Sequence, residues 1–182
     1  MNDRSSILGT TTIHSFAWLV AGNAVGVLLA ILLVVPSLGA MLGELTWGRW
    51  ASVHLAVQLY GWCSLPMVAL LWRTYIASPR AGRLAPLAID AWSGALAFGV
   101  VAWLAGTNSG KPFLEWSGAP RWIFAGAMWL LAAALASELL AERRASADVT
   151  RSLAWRAKAA FLGSLFFVPL VLALSASRSV YP

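Results

Sequence analysis

Five long apolar runs, at 13–35, 50–72, 84–105, 120–140 and 155–175, alternate with short stretches rich in Gly, Pro, Ser and charged residues. Each run is about 20 residues long, which at about 1.5 Å per residue crosses the roughly 30 Å hydrocarbon core of a bilayer. The pattern predicts an all-α membrane protein, a single domain over residues 1–182 built as a bundle of five transmembrane helices. The first run stops at Pro36, is of spanning length and has no small-residue cleavage site after it, so it reads as a retained helix rather than a signal peptide. Within it, Gly22, Asn23 and Gly26 permit close helix packing, and His14 falls at its start, in the solvated interfacial layer. Pro66 predicts a kink in the second helix. Asp90 is placed in the first turns of the third, where it complements the helix dipole or serves a proton path. Pro120 suits the first position of the fourth helix, and Pro169 lies inside the fifth.

Composition agrees with that class, since 60% of residues are hydrophobic and only 11% charged. A net charge of +6 would suit nucleic acid on a soluble chain, but these cations sit in short loops, where they set membrane orientation. The loop after the second run holds Arg73, Arg80 and Arg83, and the one after the fourth holds Arg143, Arg144, Arg151, Arg156 and Lys158. Those after the first and third runs hold Arg49 and then Lys111 and Arg121. The heavier loops belong in the cytoplasm, which puts the N-terminus inside and the C-terminus outside. The acids Glu138, Glu142 and Asp148 fall in the same solvated exit as the second group of cations. The one cysteine, Cys63, excludes a disulfide framework and reads as a small buried hydrophobe.

The candidate chemistry centres on His54, because an ionisable ring inside an apolar helix is costly unless something binds it. Helical steps of three and four place Trp50, Gln58, Gly61 and Leu65 on its face, with Gly61 leaving a slot beside the ring. Arg49 lies at the level where haem propionates would emerge, and its fork matches carboxylates. Imidazole to iron, Arg49 to propionate, and Gly61 and Gln58 along the macrocycle would make a b-type haem site. The same residues also suit a histidine that bonds across helices beside an ordinary interfacial arginine, and the sequence leaves both readings open.

The tract Gly48, Arg49, four residues, His54, followed by Tyr60, Gly61 and Trp62, resembles the second helix of the catalytic subunit of C-family, cbb-type haem-copper oxidases. A looser match is Thr107, Gly110, Glu115 and Trp116, similar to that family's loop before the fourth helix. The resemblance implies that His54 is an axial ligand of low-spin haem b, that Arg49 meets propionates, and that Glu115 lies near the propionate and calcium region. It also implies a bacterial inner membrane, a cytochrome c-type electron donor and other oxidase subunits as partners. The departure is as informative. A complete catalytic subunit of this family needs six histidines, and this chain has two, His14 and His54. No copper is expected in this chain, and it cannot reduce oxygen alone. From the predicted spans the two histidines stand roughly 25 Å apart and cannot share an iron. The readings are therefore an N-terminal portion of such a subunit, completed by a missing C-terminal segment or other subunits; a small cytochrome b with haem between two copies; or a haem-free membrane scaffold.

Overall fold

The computed structural model describes residues 2–76, 80–81 and 83–175. Five helices among these are long and apolar enough to cross a membrane: Ser5–Val34, Trp47–Tyr75, Leu84–Leu104, Ala119–Ala145 and Leu153–Ser175. In chain order, α1 (Arg4–Val34) is followed by the short α2 (Pro36–Met41). The second crossing comprises α3 (Trp47–Ala56), a π-helical segment (Val57–Cys63) and α4 (Ser64–Tyr75). Then come α5 (Leu84–Leu104), α6 (Ala119–Ala145), a 3₁₀ turn (Ala147–Arg151), α7 (Leu153–Leu165) and α8 (Val168–Ser175). A two-residue antiparallel bridge pairs β1 (Asn2–Asp3) with β2 (Arg80–Ala81). At the other end of the bundle, Lys111 Nζ donates to the Ser175 carbonyl, so Asn2–Asp3 and Ser175 lie at opposite ends.

The first crossing begins earlier than the hydropathy run because its polar start is still good helix. Thr11 and Thr12 return their hydroxyl protons to the carbonyls of Ile7 and Leu8, which hides polarity inside the helix. His14 therefore sits ten residues inside α1 instead of at its solvated start. Asp90 is the seventh residue of α5, in its second turn. The Glu138 side chain is buried in α6, and Glu142 and Lys158 form a 2.9 Å ion pair with side chains only 19% and 18% exposed. Arg143 and Arg144, in the last turn of α6, are exposed as expected, so only Glu138 and the Glu142–Lys158 pair depart from the solvated exit.

Carbonyls beside both mid-span prolines are taken up by neighbouring side chains. Pro66 has no N–H for the Trp62 carbonyl four residues back, and Ser15 of α1 donates to that carbonyl instead. The wide π turn just ahead exposes two more carbonyls: Trp92 Nε1 donates to Tyr60 O at 2.8 Å and Ser64 Oγ to Leu59 O at 2.7 Å. Pro169 marks the break between α7 and α8, where Trp129 Nε1 donates to the Phe166 carbonyl. Cys63, at the end of the π segment, is exposed on the outer face with Leu59, Ser64 and Met67, which corrects its expected burial.

Consecutive crossings pack side by side, with α5 and α6 innermost. Because lipid tails are as apolar as leucine, their association rests on close packing and interhelical hydrogen bonds. The packing centre is aromatic. Trp116 stacks on Phe124 at 4.1 Å with 4° between planes, while Tyr60, Trp92 and Trp103 meet this pair edge-on. Gly99 makes the cluster possible, because a Cβ there would lie 2.9 Å from the Trp103 ring and 3.0 Å from that of Trp116.

Candidate functional site around His54

His54 lies against α1. Its Nδ1 is 2.8 Å from the carbonyl oxygen of Gly22, and a Cβ on Gly26 would come within 2.8 Å of its Cε1. The glycines at 22 and 26 are four apart and share a face, so they open one trough along α1 that the ring enters edge-first. The carbonyl can only accept, so Nδ1 carries a proton and, in the neutral ring, Nε2 keeps its lone pair. Nε2 is the nitrogen with which this ring can bind a metal.

Gln58 occupies the next position of the same trough. Its amide lies 3.1–3.2 Å from where a Cβ on Gly22 would be, and its Nε2 donates to Asn23 Oδ1 at 3.0 Å. Gln58 Oε1 is buried with no hydrogen-bond partner. Gln58 is thus a clamp between crossings, not the wall of an open slot. Gly61 does leave room, but Trp18 fills it: a Cβ there would meet Trp18 Cβ at 2.5 Å and Leu96 at 3.2 Å. The slot expected beside His54 is closed by α1 and α5. The π segment is one cause, because steps of three and four from His54 lose their register beyond Ala56.

Arg49 faces elsewhere. Five residues on a helix turn by about 140°, so His54 on the α1 side leaves Arg49 towards α5. Its Nη1 donates to the Leu104 carbonyl at 3.0 Å, and its Nη2 pairs with Glu44 at 3.0 Å. Leu104 is the last residue of α5, so the guanidinium caps that helix's negative end. Gly106, at φ +96°, keeps the turn clear, since a Cβ there would stand 3.0 Å from Arg49. A propionate could reach this fork only by displacing Glu44. Arg49→Leu should therefore lower stability in detergent by about 1–2 kcal/mol through loss of a charged cap, with Arg49→Lys recovering about half; thermal unfolding of the two variants measures it.

Glu115 is 7% exposed and is consumed by its own loop. One carboxylate oxygen, Oε2, accepts from Ser109 N at 2.6 Å, Ser109 Oγ at 3.0 Å and Gly110 N at 3.1 Å. Among the described residues no three His, Cys, Asp or Glu side chains gather to hold a metal ion. Trp116 belongs to the aromatic centre. The backbone around them is tightly turned, with Phe113 at φ +64° and Gly110 at φ +74°. The Phe113 carbonyl accepts from Tyr60 Oη at 2.7 Å, which ties the loop to the π segment.

His14 is remote from His54 and makes its own contacts with α5: Nδ1 is 2.7 Å from Ser93 Oγ and Nε2 is 3.8 Å from Asp90 Oδ1. It stands eight residues from Gly22, roughly 12 Å along α1. That is closer than the predicted spans implied, because His54 meets α1 at Gly22 and Gly26, well inside the helix, and still too far for both rings to bind one iron.

Set against the haem requirement, the residues divide. His54 fits an axial ligand, with a fixed tautomer and an uncommitted Nε2; Arg49, Gln58, Gly61 and Glu115 have partners within the chain. The trough was detectable in the sequence as Gly22 and Gly26 at a spacing of four, but its occupants were not. Comparison with protein-family models, with curated proteins and with solved structures finds no match to this chain.

Proposed function

We propose that this chain is a membrane electron-transfer subunit that supplies one axial ligand, His54 through Nε2, to a low-spin haem b. It acts as the N-terminal portion of a cbb-type oxidase-like subunit I in a bacterial inner membrane. What carries the reading is the hydrogen bond between Nδ1 and the Gly22 carbonyl. A histidine that binds iron commonly donates its other N–H to a carbonyl, which fixes the ring and makes the ligating nitrogen more basic. The Gly48, Arg49, His54 spacing adds the family resemblance. When bound, the haem supplies a one-electron carrier; the chain's own part is to orient the imidazole, keep its proton on Nδ1 and exclude water with apolar helix. The second ligand comes from another polypeptide, a further segment or a second copy. A cytochrome c-type protein delivers the electron, and oxygen reduction belongs to partners. A reduced-minus-oxidised spectrum of the chain purified with its natural partners tests this, and a sharp low-spin b-type band is the expected result.

A second reading is the haem-free scaffold, favoured by the partners that Arg49, Gln58 and Glu115 already have within the chain. Absence of the band in the partnered complex would establish it.

The orientation is part of the proposal: N-terminus in the cytoplasm, C-terminus outside, and His54 in the outer half of the membrane. A cysteine replacing Ala145, at the end of α6, should resist membrane-impermeant reagents in intact cells and react after lysis. One replacing Pro79, outside the described residues, should behave alike. Labelling of either in intact cells reverses the orientation.

A further inference from the structure

The helix α1 is covered on one side only. His14 and Trp18 meet α5, and Gly22 and Gly26 receive the second crossing. Elsewhere on α1, Ile13, Phe16, Val20, Asn23, Val27 and Ala30 are all exposed and follow one another at alternating steps of three and four. That spacing is the heptad seam along which two helices supercoil. His14 stands nine residues before Asn23, a rotation of about 180°, so the seam faces away from α5. Five of its six residues are apolar, as contact with lipid alone would also require. Asn23 is the exception.

Its amide lies ten residues from Ile13, about 15 Å along the helix, which is the middle of a roughly 30 Å hydrocarbon core. Oδ1 accepts from Gln58 Nε2 at 3.0 Å, and among the described residues nothing accepts from Nδ2. The exposed amide therefore offers two N–H groups and a second lone pair where polar groups need partners and Asn side chains bond across helices. A second amide satisfies both, donor to acceptor in each direction. Copies of one chain insert alike, so their α1 helices run parallel, and about a two-fold axis each seam residue meets its own counterpart. A single Asn in an otherwise apolar seam fixes such a register. We propose that the chain pairs with a second copy through the exposed seam of α1, Asn23 bonding to Asn23 at mid-membrane.

The test uses no haem, and Gly22 and Gly26 lie to one side of the seam, so its outcome is independent of the function proposed for His54. Copies of the full chain labelled at the N-terminus with a donor or an acceptor fluorophore are mixed in liposomes, and energy transfer is followed as protein is diluted in lipid. Transfer should report a dimer, and Asn23→Leu should weaken it about 5- to 30-fold, the worth of a side-chain bond between membrane helices. Gln58→Leu breaks the same intrachain bond but keeps the Asn23 amide, so its dimer should stay within about twofold of wild type. In a Cys63→Ser background, Val20→Cys and Val27→Cys should each give a disulfide-linked dimer on oxidation, whereas Ala21→Cys, exposed on another side of the helix, should not. A chain that stays monomeric at every dilution overturns the proposal, whether lipid or a different protein covers α1. So does a dimer that Asn23→Leu leaves unchanged, an equal loss from Asn23→Leu and Gln58→Leu, or equal linking through Ala21→Cys and Val27→Cys.

Discussion

Replacing His54 with Ala should abolish the low-spin b-type spectrum of the partnered protein while leaving the chain inserted and folded. The second crossing keeps its apolar length, and no other side chain nearby can take over the iron: Gln58 is bound to Asn23 and Cys63 lies on the outer face. His14→Ala should leave the spectrum unchanged, since that ring meets Ser93 and Asp90 about 12 Å away along α1. A third variant probes the geometry itself. Gly26→Ala would put a Cβ 2.8 Å from His54 Cε1, so the ring must shift off the Gly22 carbonyl. Disturbing a ligand's supporting bond typically weakens metal retention about 10- to 100-fold. Gly26→Ala should therefore lose haem in proportion, with a displaced midpoint potential in what remains. If His54→Ala keeps the band, the axial role is wrong. If Gly26→Ala matches wild type in haem content and potential, the Gly22 bond does not position the ring.

The crossings were legible because a bilayer imposes a length and a polarity that any sequence must meet. Both ends of the third were legible as well, whereas the start of the first was not. Hydropathy places an end where polar residues begin, whereas Thr11 and Thr12 satisfy their hydroxyls within the helix and α1 runs on through this polar start, which moves His14 inward. His54 was legible as a lone ionisable group in an apolar run. Its surroundings were misread for two reasons. Counting by three and four assumes a regular α-helix, and the π segment breaks that count beyond Ala56. A glycine read alone suggests space, yet what fills the space comes from another helix, as Trp18 does at Gly61. Arg49 shows a third limit. Its charge and depth suited a propionate, but the end of α5 presents a carbonyl at the same level, and that nearer partner takes it. The haem reading consequently rests on one side chain and its tautomer, and the residues around it on helix packing.

Glu115 carries the largest expected effect on stability. Glu115→Ala removes the shared acceptor of two backbone N–H groups and the Ser109 hydroxyl, and Ser109 is fully buried. Hydrogen bonds to a charged acceptor contribute about 1.5–3 kcal/mol each, and buried donors left without one cost more than the average bond is worth. Because the three share one oxygen their loss is not additive, and the expected destabilisation is about 3–5 kcal/mol. The damage should spread, since the adjoining loop holds Trp116 against Trp103 and Phe124, and the Phe113 carbonyl under Tyr60. Near-ultraviolet circular dichroism should therefore lose aromatic signal along with the thermal transition. Glu115→Gln keeps one oxygen acceptor without the charge and should lose about half as much. The control is Glu44→Ala, whose carboxylate is 89% exposed and pairs with Arg49 at the surface, so its removal should scarcely move the transition. Calcium separates this account from the metal role implied by the resemblance. With its Oε2 taken by three donors, Glu115 should give the wild type no calcium-dependent rise in transition temperature, and a rise that Glu115→Gln abolishes would return the residue to a cation site.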